Sequence, residues 1–592
     1  MMTRFTFPKI KRRILIAAFA VFLLLTAGLA FDLANRGLVW QFAWSVTGEE
    51  EPIAQVRGMV EYFSNVTRPQ PRTDPLTPVN YAHVNPYGIN TFLQLEVESV
   101  KVERQLQMVS EAGFAWIRQQ FEWAEIEVDG RGQFTDSRND HNGDGQNDTI
   151  SGWDKYDRIV ALAEQYDLEI QARLDNPPAW THANPDVGSF APPDDLQDFV
   201  NFASAVAERY QGRIHFYQIW NEPNIFPEWG NQSVDPERYT ELLCRTYAAL
   251  KAVDPDIVVI SGALAPTVSL TGRDLNDFIF LQRMYDAGAG ACFDILSVQG
   301  YGLFSGPTDH RMRPTTVNIG RNQYIRDMMI ANGDENKAIW FSEMAWNSVP
   351  PASEVPDVAE PRDAYGQVTP QQAADYAPLL YQRAQEDWPW VGVINYWFMT
   401  RPDDTWRTRP EYYFRMVEPD YSEDHPTYTP LPVYDSMREW ITTQTPTLYA
   451  GLHYAEQHWA VRQREVDLNA SLEAQRNGLS SVTEYTFFAH GTDVRIRWQG
   501  ALLAAFVDDG DLRLTPDSPT ERNGWYEVTL HHSTRPQTIM VRLVTNTPFT
   551  LETITVLDRS FQNLFPIITL ISVGIGMLIL AILMGIAERR AK

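Results

Sequence analysis

The sequence predicts an α/β fold: a closed (β/α)8 barrel of the TIM type, followed by a C-terminal β-sandwich, with a membrane helix at each end. Three observations predict the barrel. Strand-like and helix-like segments alternate between residues 79 and 445, as in parallel sheets with crossover helices. The alternation repeats eight times, the number that closes such a barrel. No glycine-rich phosphate loop follows the first strand, which argues against an open, doubly wound sheet.

Each predicted strand is a short apolar run rich in β-branched and aromatic residues. The predicted strands span residues 88–95, 116–121, 169–174, 215–220, 257–261, 295–298, 338–342 and 391–397. The helices that follow them are predicted at 100–112, 156–166, 194–211, 236–253, 274–287, 322–332, 370–386 and 432–441.

The composition limits the classes of partner and of stabilising chemistry. The 592 residues carry a formal net charge of −27, which argues against nucleic acids and anionic membrane surfaces as partners. Only two cysteines occur, Cys244 and Cys292, so a disulfide framework and a cysteine-based zinc site are excluded. We expect two buried thiols in preference to one bridge.

Both ends of the chain have the pattern of membrane segments. Four basic residues between 9 and 13 precede the uncharged run 14–31, which is either an anchor or a signal peptide with a cleavage site near residues 28–30; we favour the anchor. The uncharged run 565–586 is followed by Arg589, Arg590 and Lys592. By the positive-inside rule both termini are expected in the cytoplasm, and the region between the two segments is expected outside it at the cell membrane.

The remaining regions complete the domain organisation. The chain divides into an N-terminal anchor (1–31), a linker (32–78), the barrel (79–445), a sandwich (446–562) and a C-terminal segment (563–592) with a membrane helix and a basic tail. One short helix near 53–63 and an extended Pro- and Thr-rich stretch are expected in the linker. Alternating runs predict the sandwich, which either binds sugar or packs on the barrel; we favour packing.

Two predicted strands end in a glutamate. Strand four ends at Asn221-Glu222-Pro223, and strand seven ends at Glu343. Because the C-terminal ends of barrel strands share one cavity, the two carboxylates are expected to face each other. Such a pair is what the hydrolysis of a glycosidic bond needs, one as proton donor and one at the anomeric carbon.

Between residues 80 and 440 the chain resembles the retaining glycoside hydrolases of clan A, most closely family 39 and relatives in families 5 and 42. The resemblance is carried by Asn221-Glu222-Pro223, Glu343, Ile117-Arg118 with Trp123, Tyr301 and Trp397. It implies that Glu222 is the general acid/base and Glu343 the nucleophile of a double displacement. It also implies that catalysis needs no cofactor, and that the substrate is a carbohydrate.

Further roles follow for residues around this pair. We expect Arg118 to keep Glu343 ionised, Asn221 to bind the sugar 2-hydroxyl, and Tyr301 to hold Glu343 in its attacking rotamer. Aromatic side chains are expected to form the sugar platform: Trp397 first, then Trp123, Trp180 and Trp346. The chain has Gln299 where many relatives have a histidine, which leaves the sugar and the linkage open.

One acidic segment has the start of a calcium loop. The candidate ligands, at alternating positions before and after a glycine, are Asp140, Asn142, Asp144, Gln146 and Asp148. The twelfth position is Ser151, so the bidentate acid is missing. The alternatives are a structural calcium ion or a solvated acidic insertion.

The sequence favours a membrane-anchored, extracytoplasmic retaining glycosidase. Two alternatives stay open. A transglycosylase would pass the same intermediate to a sugar acceptor, and a carbohydrate-binding surface protein would keep the barrel without catalysis.

Overall fold

The computed structural model describes residues 12–140, 144–402, 404–419, 427–467, 481–508, 510–512 and 519–560. Its centre is a barrel of eight parallel strands that lie in chain order around the ring. The last edge closes through parallel bridges between residues 260 and 295 and between 264 and 298. The strands are β1 (Tyr87–Thr91), β2 (Trp116–Glu122), β3 (Glu169–Asp175), β4 (Phe216–Ile219), β5 (Val258–Ile260), β6 (Leu296–Gln299), β7 (Ile339–Met344) and β8 (Val391–Tyr396).

Eleven segments of eight or more residues form α-helices in the described chain, and eight of these follow the barrel strands in turn, apart from short helical turns. The four-residue helix Trp123–Ile126 completes the set of α-helices among the described residues. The eight longer helices are α4 (Ser99–Glu111), α5 (Asp154–Gln165), α6 (Leu196–Arg209), α7 (Pro236–Val253), α8 (Asp277–Asp286), α9 (Asn322–Ala331), α10 (Pro370–Asp387) and α11 (Pro432–Thr443). The predicted (β/α)8 barrel is therefore confirmed, with each strand and helix close to its predicted position.

Local sequence signals explain where several helices begin. Asp235 caps α7 by accepting the backbone N–H of Arg238, and a proline occupies the first position of that helix. Thr369 and Gln372 form a reciprocal capping box at the start of α10. These signals fix the helix starts independently of tertiary packing.

The segment between the first helix and the barrel contains more helix than the sequence predicts. The chain begins with α1 (Arg12–Ala34), α2 (Leu38–Thr47) and α3 (Pro52–Val66). Of the two helices between α1 and the barrel, only α3 is expected from the sequence. The additional helix α2 starts where the Asp32 carboxylate accepts the backbone N–H groups of Val39 and Trp40. The predicted linker is thus largely an ordered helical pair.

Within the described residues we find no helix that is both long and apolar enough to cross a membrane. The structure therefore gives no support to a membrane-spanning anchor at residues 14–31, although that segment is helical. The second predicted span, 565–586, lies outside the described residues.

The C-terminal region is rich in β-sheet, as predicted, and its strands belong to one connected sheet. Two long strands, paired antiparallel, form its centre and enclose a second hydrophobic cluster that includes Phe487, Trp498 and Ile554. The strands are β9 (Thr447–Leu448), β10 (Gly451–Tyr454), β11 (Arg462–Asp467), β12 (Ser481–Val507), β13 (Gly510–Leu512), β14 (Thr520–Arg522) and β15 (Trp525–Leu557). Two short hairpins pair 135–136 with 150–151 and 417–419 with 428–430.

The two cysteines form a disulfide, which corrects the expectation of two buried thiols. Cys244 in α7 and Cys292, in the loop before β6, have Cα atoms 4.7 Å apart. The sequence could not show this, because the two cysteines are 48 positions apart and only the barrel topology returns the chain to the same place. The bridge links α7, which follows β4, to the loop that precedes β6.

Removing the disulfide is expected to lower the free energy of unfolding by about 2–4 kcal/mol, because the bridge restricts the unfolded chain. The double substitution Cys244→Ser and Cys292→Ser tests this by chemical denaturation. Reducing agent should produce the same loss in the native chain and no change in the double variant. Equal stability of the two proteins under oxidising conditions would contradict the prediction.

Candidate active site

The two glutamates lie at the C-terminal end of the barrel, as the sequence predicts. Glu343 is the fifth residue of β7, and Glu222 follows the end of β4 by three residues. The backbone there is unusual, since Trp220 and Glu222 have φ angles of 75° and 41°, in the left-handed region that side chains normally avoid. The N–H of Glu222 donates to the carbonyl of Ala263 over 2.8 Å, which holds this turn against the neighbouring strand. Such strained residues often mark functional sites.

A buried arginine connects the strands that carry the two glutamates. The side chain of Arg118 is 1% exposed, and its Nη1 lies 3.1 Å from Oε1 of Glu343. The same guanidinium donates to Asn90 (2.8 Å), to Gln218 (2.7 Å) and to Asn221 (2.8 Å). A charge in this position needs such compensation, because an unpaired buried ion is strongly destabilising. Arg118 therefore fixes the position of Glu343, the charge partner expected for it, and also that of Asn221.

Tyr301 engages the second oxygen of Glu343. Its hydroxyl donates to Oε2 over 2.8 Å, while Arg118 occupies Oε1. Both oxygens are thus held, and the carboxylate has one defined orientation. Hydrogen bonds to a charged acceptor are the stronger class, so this contact contributes to the geometry of the site.

Replacing Tyr301 by phenylalanine is expected to lower kcat about tenfold, with a smaller effect on KM, because one hydrogen bond to a charged group is lost. The substitution Tyr247→Phe is a matched control, since that hydroxyl also donates to a carboxylate, Asp294, outside the barrel mouth. Steady-state kinetics on both variants test the prediction. An unchanged kcat for Tyr301→Phe would contradict a positioning role.

Glu222 has a different environment. Burial raises its pKa well above the ordinary value, and the nearby charges of Glu343 and Glu228 raise it further. The amide of Gln299 donates to its Oε1 over 3.0 Å. Gln299 therefore contacts the carboxyl of Glu222 directly. The site therefore contains one carboxyl that keeps its proton and one that is paired with a cation.

The four tryptophans proposed as a sugar platform differ in accessibility. Trp123 and Trp346 are 0% and 1% exposed, so neither has a face open to a ligand, and both are corrections to the expected platform. Trp123 stacks on Phe202, and the indole of Trp346 donates to the carbonyl of Ser305. Their sequence positions after strands suggested an open location, but the loops fold these rings back into the core.

Trp397 and Trp180 are partly exposed. Trp397 follows β8 and packs edge-on against Phe92, with a ring-centre separation of 5.3 Å. Trp180 donates its indole N–H to the carbonyl of Glu127 and lies under the guanidinium of Arg131. Trp397 thus stays the best candidate for stacking on a sugar.

A polar wall beside the glutamate pair was missed by the sequence reasoning. Arg173 and Asp175 of β3 form an ion pair of 2.7 Å, and Gln120 of β2 donates to Asp175 over 2.7 Å. Glu122 ends β2, and Glu228 lies in the loop after β4. Period-two alternation along β2 and β3 from Arg118 could have revealed these inward positions. We call these five residues the polar wall.

The wall contains carboxyls with strongly shifted protonation. Burial raises the pKa of Glu228 to about 7, and the charges of Asp175 and Glu343 add to this while Arg173 opposes it. Burial also raises the pKa of Glu122 to about 7. Next to it, Oδ1 of Asn176 is buried without a hydrogen-bond partner in the described structure. Such groups fit a ligand with several hydroxyls, because hydroxyls both donate and accept.

Replacing Glu228 by glutamine is expected to raise KM about tenfold, with kcat changed much less, if the wall binds substrate hydroxyls. Ionised carboxylates accept more strongly, so the native KM should fall as the pH rises through about 7, the pKa of Glu228. The variant should lose that dependence. Glu237→Gln, at an exposed ion pair on α7, is the control. A KM unchanged by Glu228→Gln would contradict the assignment.

The calcium loop receives no support. Among the described residues no group of three or more metal-binding side chains occurs. The carboxylate of Asp140 accepts the backbone N–H groups of Asp144 and Gly145, so it caps its own turn. Asn142 lies outside the described residues, and the positions of Asp144, Gln146 and Asp148 do not complete a ligand set.

Comparisons with known proteins give distant matches of fold. No protein-family model and no curated protein matches the sequence. Among solved structures, the chain is similar to a family 39 glycoside hydrolase from Bacteroides cellulosilyticus WH2 (15% identity, TM-score 0.45, covering 80% of this chain and 83% of that one). It is also similar to a family 39 enzyme from Xanthomonas axonopodis pv. citri (13%, 0.39, 82% and 98%) and a family 39 β-xylosidase from Caulobacter crescentus (14%, 0.40, 81% and 98%). Family 39, to which the sequence motifs point, thus recurs among these matches, whose likeness concerns the fold.

Proposed function

We propose that the chain is a retaining glycosidase that cleaves O-glycosidic bonds of an oligo- or polysaccharide through a covalent glycosyl-enzyme. One observation carries the proposal: the two glutamates at the barrel mouth have opposite environments. Glu222 is desolvated and has a raised pKa, whereas Glu343 is paired with Arg118 and Tyr301. Two carboxyls with separated protonation states are the arrangement that acid catalysis beside a nucleophile requires.

In the first step, Oε of Glu343 attacks the anomeric carbon and the bond to the glycosidic oxygen breaks. Glu222 transfers its proton to that oxygen, so the aglycone leaves as a neutral alcohol. Arg118 and Tyr301 hold the attacking carboxylate in place during this step. The product is a glycosyl ester on Glu343, with Glu222 ionised.

In the second step, ionised Glu222 removes a proton from water, and the oxygen attacks the anomeric carbon. The ester bond to Glu343 breaks, the carboxylate regains its charge, and Glu222 is protonated again. The configuration at the anomeric carbon is inverted twice and therefore retained. The sequence of steps needs only these side chains and water.

The surrounding residues determine how a sugar is oriented. Asn221 is held by Arg118 next to Glu222, where its amide suits the 2-hydroxyl of the reacting sugar. Trp397 provides a partly open aromatic face, and the polar wall provides charged partners for further hydroxyls. A neutral, hydroxyl-rich ring fits this combination.

The proposal is tested by trapping the covalent intermediate. The native chain is incubated with activated 2-fluoro glycosides of several sugars, and the labelled peptide is located by mass spectrometry. A label on Glu343 is expected, and Glu343→Gln should take none. A label on another carboxylate would overturn the assignment of the nucleophile. A folded protein that no sugar labels and that cleaves no activated glycoside would contradict the proposed activity.

We also propose that the barrel lies outside the cytoplasm. The Cys244–Cys292 disulfide supports this location, since such bonds persist mainly in oxidising compartments. A cysteine introduced at the exposed Glu208 should react with a membrane-impermeant maleimide in intact cells. Labelling only after lysis would contradict the proposed location.

A further inference from the structure

Helix α3 is amphipathic, but its polar side faces the protein and its apolar side faces outward. Its side toward the rest of the protein carries Gln55, Gly58 and Asn65, all buried. Its opposite side carries large apolar residues that are 50–71% exposed. These are Ile53, Val56, Val60, Phe63 and Val66. A helix normally buries its apolar side, and exposed apolar patches of this kind often mark an interaction surface.

The polar inner side of α3 makes several specific contacts. The amide of Gln55 donates to the carbonyls of Trp40 and Glu49, and Oδ1 of Asn65 accepts the N–H of Met312. Gly58 packs so closely against Thr47 that a Cβ would clash. The helix therefore cannot turn its apolar stripe inward without breaking these contacts. The exposed stripe is a fixed feature of the fold.

The apolar surface continues into the helices that precede α3. On α2, Leu38, Val39 and Phe42 are exposed. On α1, the exposed apolar residues lie within the uncharged run 14–31, and the chain passes from α1 to α2 through a three-residue turn. The exposed apolar residues of α1 are Leu23, Leu24, Leu25, Leu29 and Phe31. Three consecutive helices thus present apolar side chains outward.

The helical pair is firmly attached to the barrel. Arg311 donates to the Glu49 carboxylate (2.6 Å) and to the Thr47 carbonyl (2.9 Å), and Tyr376 donates to Glu50 (2.5 Å). Arg311 lies in the loop that follows Tyr301. Any surface on which the stripe rests would therefore set the orientation of the barrel, including the loop that begins at the active site.

We propose that the outer faces of α2 and α3 lie on a lipid bilayer, in the plane of its interface, and seat the barrel on the membrane. The continuity of these faces with the uncharged segment of α1 favours lipid over a protein partner. Helices that lie in the interface need not span the membrane, and amphipathic helices commonly bind in this way. Because the net charge is −27, the contact is apolar and does not depend on anionic lipid.

The full chain, reconstituted into phosphatidylcholine vesicles, tests the proposal. A fluorophore sensitive to its environment is attached to a cysteine at Val60, because the two native cysteines are bonded to each other. Glu208→Cys, exposed on barrel helix α6, is the matched control. At position 60 we expect blue-shifted emission and about twofold quenching by lipids with a spin label near the headgroup, since interfacial helices reach about 5–10 Å into this boundary. At position 208 we expect neither.

Two other outcomes would overturn the proposal. A water-like, unquenched signal at position 60 would mean that the stripe stays exposed beside a bilayer. A blue-shifted signal without quenching would mean that protein covers the stripe, either a second copy or residues 561–592. Dilution distinguishes these two, because a second copy would dissociate. Circular dichroism of both labelled proteins shows that each is folded.

Discussion

Replacing Glu343 by glutamine is expected to lower kcat by at least about 10⁴-fold, because an amide cannot form the glycosyl ester. Arg118 and Tyr301 hold the two carboxylate oxygens of Glu343, and an amide at this position keeps only one oxygen, which is a far weaker nucleophile. Substrate binding should change much less, since the amide keeps the shape of the side chain. Steady-state kinetics with an activated aryl glycoside measure both quantities.

Loss of activity must be separated from loss of folding, because the substitution leaves the buried Arg118 without its counter-ion. Thermal unfolding of the variant provides that control. A second variant, Glu343→Ala, opens space for an external anion. Azide should restore turnover by attacking from the face that Glu343 occupied, which gives a glycosyl azide of inverted configuration. A retained configuration would assign Glu343 to the opposite role.

The barrel could be predicted because its signal is repeated and local. Each strand, such as β4 or β7, is a short apolar run, and each helix carries its own period and start signal. The parallel arrangement then follows from the alternation, since parallel neighbours need a crossover connection. The sequence-based predictions were wrong where contacts between separate segments determined the structure. Helix α2 depends on a cap from Asp32, and the disulfide depends on two distant segments meeting.

The same difference between local signals and tertiary contacts explains which residues of the candidate site could be predicted. Glu222 and Tyr301 lie beyond strand ends and Glu343 lies near the end of β7, so the barrel topology alone places these three at one opening. Arg118 contacts Glu343 from within β2. The structure brings Arg118 and Tyr301 into contact with Glu343, while the catalytic roles stay predictions. No comparable rule predicts whether a tryptophan in a loop is exposed or buried. Trp123 and Trp346 were therefore misjudged.

The polar wall was missed for a different reason. Arg173 and Asp175 belong to a strand whose ending carries no recognisable motif, and Glu228 lies six residues beyond Glu222 in a loop. Only the register between β2 and β3, with Gln120 opposite Arg173, shows that these side chains share one side of the opening. Charge in a barrel interior is costly, so their clustering is better explained by a polar ligand than by stability.

Replacing Glu222 by glutamine is expected to lower kcat/KM about 10²–10⁴-fold for glycosides with poor leaving groups, because protonation of the leaving oxygen is lost. The effect should be small for a dinitrophenyl glycoside, whose leaving group needs no proton. Since the acid acts only when protonated, native activity should fall as the pH rises through the raised pKa of Glu222. In the variant, activity should no longer fall over this alkaline pH range. An unchanged fall would mean that another group causes it.

The charge of Glu343 is one cause of the raised pKa of Glu222. When Glu343 forms the glycosyl ester, that charge disappears, and the pKa of Glu222 should fall. Glu222 then becomes the base that the second step requires, without movement of the backbone. NMR titration of ¹³C-labelled glutamate carboxyls, with and without the 2-fluoro glycosyl ester, measures the change directly. An equal pKa in the two states would mean that burial alone sets the protonation of Glu222, and that Glu343 does not control its change from acid to base.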